Sequence, residues 1–132
     1  MQFKQFIIFG GCGFIGTHMV NLLREKYPNA KVYIADLLAG SSEFSQRVDV
    51  RQEISMSGEF GKDTLIFNFA AVHRTPGHPD YAYFETNIRG AENVCEFARK
   101  HGINNIVFTS SIAPYGAAED QKSEDTPPTP NT

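Results

Sequence analysis

FIIFGGCGFIG, residues 6–16, joins an uninterrupted apolar run to three glycines spaced by three, Gly10, Gly13 and Gly16. A short run that is apolar at every position suits a strand buried on both faces, as in a parallel sheet covered by helices. The next segment, FIGTHMVNLLREKYP (14–28), places Ile15, Met19 and Leu22 or Leu23 on one helical stripe and stops at Pro28. At such a junction each glycine has its own task. Gly10 permits a tight turn, Gly13 lets phosphates approach the backbone, and Gly16 lets helix and strand pack closely. The helix start beyond them offers unpaired N–H groups and the positive end of the helix dipole to an anion.

Working outward, KVYIAD (31–36) reads as a second strand ending on Asp36, twenty positions after Gly16. Strand, glycine turn, amphipathic helix and strand-end acid in this order point to a dinucleotide-binding βαβ unit. A purely structural turn, or a different phosphate-bearing ligand, is the alternative. A carboxylate at Asp36 would accept the hydroxyls of a ribose and repel a 2′-phosphate. Leu37 and Leu38 supply no arginine to receive one, so NAD is favoured over NADP. An Asp that merely faces water is the competing account of the same residue.

The remaining segments alternate between the two periods. RVDVRQ (47–52) is a weaker extended piece, and TLIFNFAA (64–71) is a strand candidate with a long apolar centre. Residues 80–100 predict the clearest helix, with Phe84, Ile88, Ala91, Cys95 and Ala98 on one face, a Glu96/Lys100 pair and Gly102 as C-terminal cap. NIVFTSS (105–111) is the last strand. The expected architecture is α/β, a Rossmann-like parallel sheet with helices on both faces, over residues 1–116. Residues 117–132, AAEDQKSEDTPPTPNT, hold no Val, Ile, Leu, Met or aromatic residue and predict an acidic, proline-rich loop or tail.

Composition narrows the partners. Twelve basic against fifteen acidic residues, a net charge of -3, leave no electrostatic footprint for nucleic acid or an anionic membrane. No apolar run approaches the roughly 20 residues of a membrane span, and the start MQFKQFIIFGG lacks a signal peptide's basic and small-residue ends. The cytoplasm is the default location. Cys12 and Cys95 match no metal-ligand spacing and are expected as two buried thiols, so no metal site is expected.

Taken in order, these motifs resemble the NAD-dependent epimerase/dehydratase family of the extended short-chain dehydrogenase/reductase superfamily. The stretch 6–16 resembles its opening motif, which implies cofactor contacts at Gly10, Gly13, Phe14, Ile15 and Gly16, with Asp36 and Leu37 on the ribose side. Asp49 and Val50 resemble its adenine-contacting pair, and NFAAVH (68–73) a segment in which Phe69, Ala70 and Ala71 line the cofactor. TNIRGAENVCEFA resembles a helix motif opened by a structural Asn, here Asn87, counted with the cofactor side. VFTSSIAPYG resembles the strand motif whose active-site hydroxyl stands four positions before the Tyr of a YG pair. By that count Ser111 is the catalytic hydroxyl, with Tyr115-Gly116 the pair and Thr109 and Ser110 on the nicotinamide side. His73 and Arg74 are open between substrate-side contact and loop structure.

The resemblance also implies a Tyr-x-x-x-Lys pair beyond the Ser segment, and none follows it here. Tyr27 and Lys31 have that spacing but flank Pro28, where a helix stops and a strand begins. The expectation is therefore the N-terminal, NAD-binding portion of a nucleotide-sugar epimerase/dehydratase, truncated before the Tyr/Lys helix. The parent would transfer hydride through a 4-keto sugar, and the chain alone would be inactive. A 4,6-dehydratase or reductase of the same superfamily, or a stand-alone NAD-binding module, is the alternative. Family members commonly dimerise through the helix equivalent to 80–100, so a homodimer is expected, with the nucleotide sugar a partner of the parent.

Overall fold

The structure, a computed structural model, describes residues 2–73 and 77–130. Its centre is β1 (Gln5–Phe9), where every residue is buried. Phe6 and Ile8 face one side with Val32 and Phe67, and Ile7 and Phe9 the other with Tyr33, Ala35 and Ile66. Covering a strand on both faces at about 1.5–3 kcal/mol per large apolar side chain is what fixes it at the middle of the sheet. β2 (Lys31–Asp36), β3 (Ser45–Arg47), β4 (Thr64–Asn68) and β5 (Asn105–Phe108) complete five parallel strands in the order β3-β2-β1-β4-β5. The chain moves outward from β1 to β3 and then returns to β1's other side at β4. That reversal opens a crevice at the carboxyl ends of β1 and β4.

Helix α1 (Phe14–Lys26) covers the Phe6/Ile8 face. Its buried row is Gly16, Val20 and Leu23, while Ile15 and Leu22 of the expected stripe are exposed. Close packing of Gly16 against the glycine turn rotates the helix by about one position, bringing the 16-20-23 row onto the sheet. The opposite face is covered by α3 (Gly90–Lys100), which continues from α2 (Asp80–Tyr83) and a π-helical segment at Phe84–Arg89, neither of which buries a residue. Here the expected stripe is corrected. The buried residues are Gly90, Val94, Phe97 and Ala98, whereas Phe84 is 64 % and Ile88 54 % exposed, with Ala91 and Cys95 half-buried. The wider π turn shifts the register between the two ends of the helix, so a constant 3.6-residue count across it selects the wrong face. Tyr81, one turn before Phe84, is exposed too.

Gly102, at φ +67°, caps α3 as expected, and its N–H and that of Ile103 close on the carbonyls of Arg99 and Ala98. Glu96 pairs with Arg99, while Lys100 reaches Glu53 at 3.8 Å. The extended piece predicted at 47–52 is not a strand beyond Arg47. Residues 48–63 run irregularly, pinning Val48, Val50, Ile54 and Met56 into the α3-side core. The cysteines are free, but Cys12 is exposed and Cys95 half-buried, because one lies in the open glycine turn and the other on the helix's outer side. Beyond β5, a 3-10 turn at Ala113–Tyr115 is met by the proline-rich segment, with Thr129 N–H on the Pro114 carbonyl at 2.7 Å.

Candidate cofactor site

Three strand ends are tied together at the crevice. Gly10 N–H donates to the Ala35 carbonyl and Phe69 N–H to the Phe9 carbonyl, each at 2.9 Å. Gly10 turns the chain at φ +77°, with the Phe69–Ala70 peptide so close that a Cβ would lie 2.8 Å from Ala70 N. At Gly16 a Cβ would stand 2.2 Å from the Gly10 carbonyl oxygen, a contact no side chain can make. Gly13 differs from both: a Cβ there would meet only the Gly10 oxygen, at 3.3 Å, and otherwise open space. Tight turn, open approach and close packing thus fall at 10, 13 and 16 as the spacing predicts. Gly13 is also the N-cap of α1, which has no side-chain cap and no acid in its first turn. The dipole end and its free N–H groups are left for an anion.

Asp36 leans over this turn. Its Oδ2 accepts the Cys12 N–H and its Oδ1 the Leu38 N–H, both at 3.0 Å. The carboxylate is thereby fixed beside the phosphate position, with lone pairs left for hydroxyl donors. Burial, and then the Asp36 charge, push the Cys12 thiol above its ordinary range. Leu37 and Leu38 are exposed next to it. A turn left open at Gly13, with the Asp36 carboxylate fixed on its Cys12 N–H, fits a dinucleotide without a 2′-phosphate.

The flanking loops are clamped to this frame. Val48 N–H donates to the Asp36 carbonyl at 3.1 Å, which sets Asp49 just beyond the end of β2. Asp49 is forked by Arg51 through Nε at 2.9 Å and Nη2 at 2.8 Å, and the Arg51 side chain holds its carboxyl below the usual range. Val50 is buried, and its carbonyl accepts Asn93 Nδ2 at 2.7 Å. Asn87 uses both ends of its amide on one residue's backbone, accepting Val72 N–H at 2.8 Å and donating to the Val72 carbonyl at 2.9 Å. That makes it a structural clamp on the loop after β4, seated in the π segment. Phe69 and Ala70 are half-buried against Gly10, and Ala71 and His73 are exposed. Arg74 lies outside the described residues.

Thr109, Ser110 and Ser111 leave the carboxyl end of β5 and are all exposed. Ser111 Oγ accepts the Ala113 N–H at 3.1 Å, opening the 3-10 turn that carries Tyr115. Tyr27 caps α1 and Lys31 begins β2, so that pair shares no helix. Among the described residues no group of three His, Cys, Asp or Glu is placed to hold a metal, and no helix is long and apolar enough to cross a membrane. Sequence reasoning missed Arg51 and Asn93. The two-residue step from Asp49 to Arg51 was a usable signal, whereas Asn93 reveals itself only once α3 lies on Val50.

The model of one family, described as "NAD dependent epimerase/dehydratase family", matches residues 6–132. Among curated proteins, the N-acetyl-alpha-D-glucosaminyl-diphospho-ditrans,octacis-undecaprenol 4-epimerase of Escherichia coli O157:H7 is 31 % identical, over 94 % of this chain and 37 % of its own length. Among solved structures, a UDP-galactose 4-epimerase is 30 % identical with a TM-score of 0.76, covering 96 % of this chain and 45 % of that one. A UDP-glucose 4-epimerase of Thermus thermophilus, in complex with NAD, is 27 % identical with a TM-score of 0.73, over 96 % of this chain and 44 % of that one. The chain thus spans less than half the length of these relatives. A match running from the first buried strand onward, on a sheet whose carboxyl end is built for a dinucleotide, carries the assignment: the chain belongs to the NAD dependent epimerase/dehydratase family.

Proposed function

We propose that the chain is the NAD-binding portion of a nucleotide-sugar epimerase or dehydratase, nearest in chemistry to the UDP-glucose 4-epimerases. The observation that carries it is the pairing of the open glycine turn with Asp36, whose carboxylate is held on the Cys12 N–H at 3.0 Å. The first turn of α1 at Gly13, Phe14, Ile15 and Gly16 would take the pyrophosphate, and Asp36 with Leu37 the adenosine ribose. Asp49 and Val50 would meet the adenine, and Phe69, Ala70 and Ala71 would run under the cofactor, their loop held by Asn87. When bound, NAD supplies the hydride acceptor for oxidation of a sugar hydroxyl. Thr109 and Ser110 would flank its nicotinamide end.

Ser111 has the freedom such a site needs. Its oxygen accepts from Ala113, so its own O–H remains available to donate to a sugar oxygen and orient it. Its contact is with a backbone N–H and not with a base, so proton removal would fall to a Tyr-x-x-x-Lys pair, which no helix among the described residues carries. That supports an inactive chain on its own and keeps a stand-alone NAD-binding module as the second reading. His73 would stand on the substrate side of the loop after β4, and Arg74, next to it in sequence, is proposed for substrate contact with it. A second copy would seat on the exposed Phe84 and Ile88 of the outer helix face, and the cytoplasm is the proposed location.

Calorimetric titration tests the cofactor reading. NAD binds and NADP binds more weakly, and Asp36→Ala narrows the difference by removing both the ribose acceptor and the repulsion of a 2′-phosphate. Equal affinity for the two nucleotides in the unaltered chain overturns the assignment of Asp36.

A further inference from the structure

We propose that Arg51 is a positioning residue that sets which base the dinucleotide carries. It holds Asp49 as a fixed, acceptor-only carboxylate at the base end of the site, and so selects a purine presenting a hydrogen-bond donor there over one presenting an acceptor. The inference rests on the dinucleotide reading above and adds a residue and a selectivity to it.

Sheet order gives the direction. Phosphates belong at the start of α1 beside β1, and the ribose belongs at Asp36 on the end of β2. β3 pairs with β2 on the side away from β1, so the base, continuing outward, meets the loop that leaves β3. That loop is fixed to the ribose position by the Val48 N–H on the Asp36 carbonyl. Its next residue is Asp49.

Arg51 consumes most of what Asp49 can accept. A carboxylate has about four lone-pair positions. Oδ1 takes the Arg51 backbone N–H at 3.0 Å and Nε at 2.9 Å, and Oδ2 takes Nη2 at 2.8 Å. One acceptor position stays open, on Oδ2, in an orientation dictated by a planar fork that only guanidinium provides. The same contacts hold the carboxyl below its usual range, so it has no proton to donate. The backbone under it is equally fixed, because Val50 is buried and its carbonyl is pinned by Asn93 at 2.7 Å. An adenine edge brings an amino donor to that open position. A hypoxanthine edge brings a carbonyl oxygen, and two acceptors face each other.

The test is competitive calorimetry with NAD and nicotinamide hypoxanthine dinucleotide. The unaltered chain should prefer NAD by about tenfold, the low end for a charge-assisted hydrogen bond at a half-exposed site. Arg51→Met should shrink the preference to under about threefold, the residue of an untethered carboxylate, and Arg51→Lys, which keeps charge without the fork, should do the same. Asp49→Asn, whose amide can donate, should erase or reverse it. Variants that weaken both dinucleotides equally and leave the ratio intact overturn the inference while sparing the cofactor reading, as does full rescue by Arg51→Lys. An unaltered chain that binds neither dinucleotide overturns both.

Discussion

The two ends of the sheet's crevice are built differently. On the β1-β2 side, the turn at residues 10–16 is closed by backbone hydrogen bonds, a carboxylate on a backbone N–H and a glycine, Gly16, at which a Cβ would stand 2.2 Å from the Gly10 carbonyl oxygen. On the β5 side, the strand is paired along one edge only among the described residues, its Val107 and Phe108 are 42 % and 62 % exposed, and Ser111 is bonded to its own turn. On the proposed reading, the pyrophosphate and the adenosine ribose would both be held within some thirty residues of contiguous chain. On the β5 side the proposed catalytic hydroxyl, Ser111, stands exposed on its turn.

The comparison breaks most severely at Gly16. Gly16→Ala puts a methyl into the Gly10 carbonyl and should cost more than about 3 kcal/mol, beyond ordinary overpacking because backbone lines the clash on its near side. Urea unfolding of this variant beside Gly13→Ala checks it. The second substitution meets one atom at 3.3 Å and should stay within about 1 kcal/mol of the unaltered chain while weakening NAD. Similar losses for both would mean that Gly13 is structural.

On the other side, Ser111→Ala in a protein extended to the length of the relatives should cost about 2 to 4 kcal/mol in the transition state, by analogy with other positioned donors. Its NAD affinity should not move. Turnover that is unaffected would leave Ser111 with only its turn. The unpaired β5 edge offers a second copy another apolar seam in addition to Phe84 and Ile88, so Phe108→Lys should reduce self-association of the chain in sedimentation velocity and leave both stability and NAD affinity within about 0.5 kcal/mol, since the ring is exposed. A loss of NAD affinity would show the two sides to be coupled.

The smallest effect is electrostatic. Arg51 lowers the Asp49 carboxyl in the folded chain, so the pair stabilises fully above the unfolded carboxylate range and loses its contribution as pH falls through the folded value. Both side chains are partly exposed, which limits the gain to under about 1 kcal/mol at neutral pH. Arg51→Met and the unaltered chain should accordingly differ slightly in urea midpoint at pH 7 and converge in acid. A gap that widens in acid would contradict the sign.

β1 and its turn were legible because both signals are local. An apolar run buried on two faces needs no knowledge of its partners, and the glycine spacing encodes the backbone's own geometry. The helix at 80–100 was legible as a helix but not in its facing. The π segment at Phe84–Arg89 breaks the period, and nothing in FETNIR announces the break. Asn87 was named as structural and is seen as such, holding Val72 through both amide atoms. Arg51 and Asn93 act on a loop whose path depends on β3 ending after three residues, and no short-range pattern fixes that length.

The β1-α1 turn and Asp36 are expected to hold the cofactor irrespective of the open β5 side. Amide NMR of the labelled chain titrated with NAD tests it most directly. The largest shifts are predicted at residues 11–17 and 36–38, with smaller ones at 48–51 and 69–72. Shifts that are strongest at residues 105–116, or absent from 11–17 at saturating NAD, would contradict it.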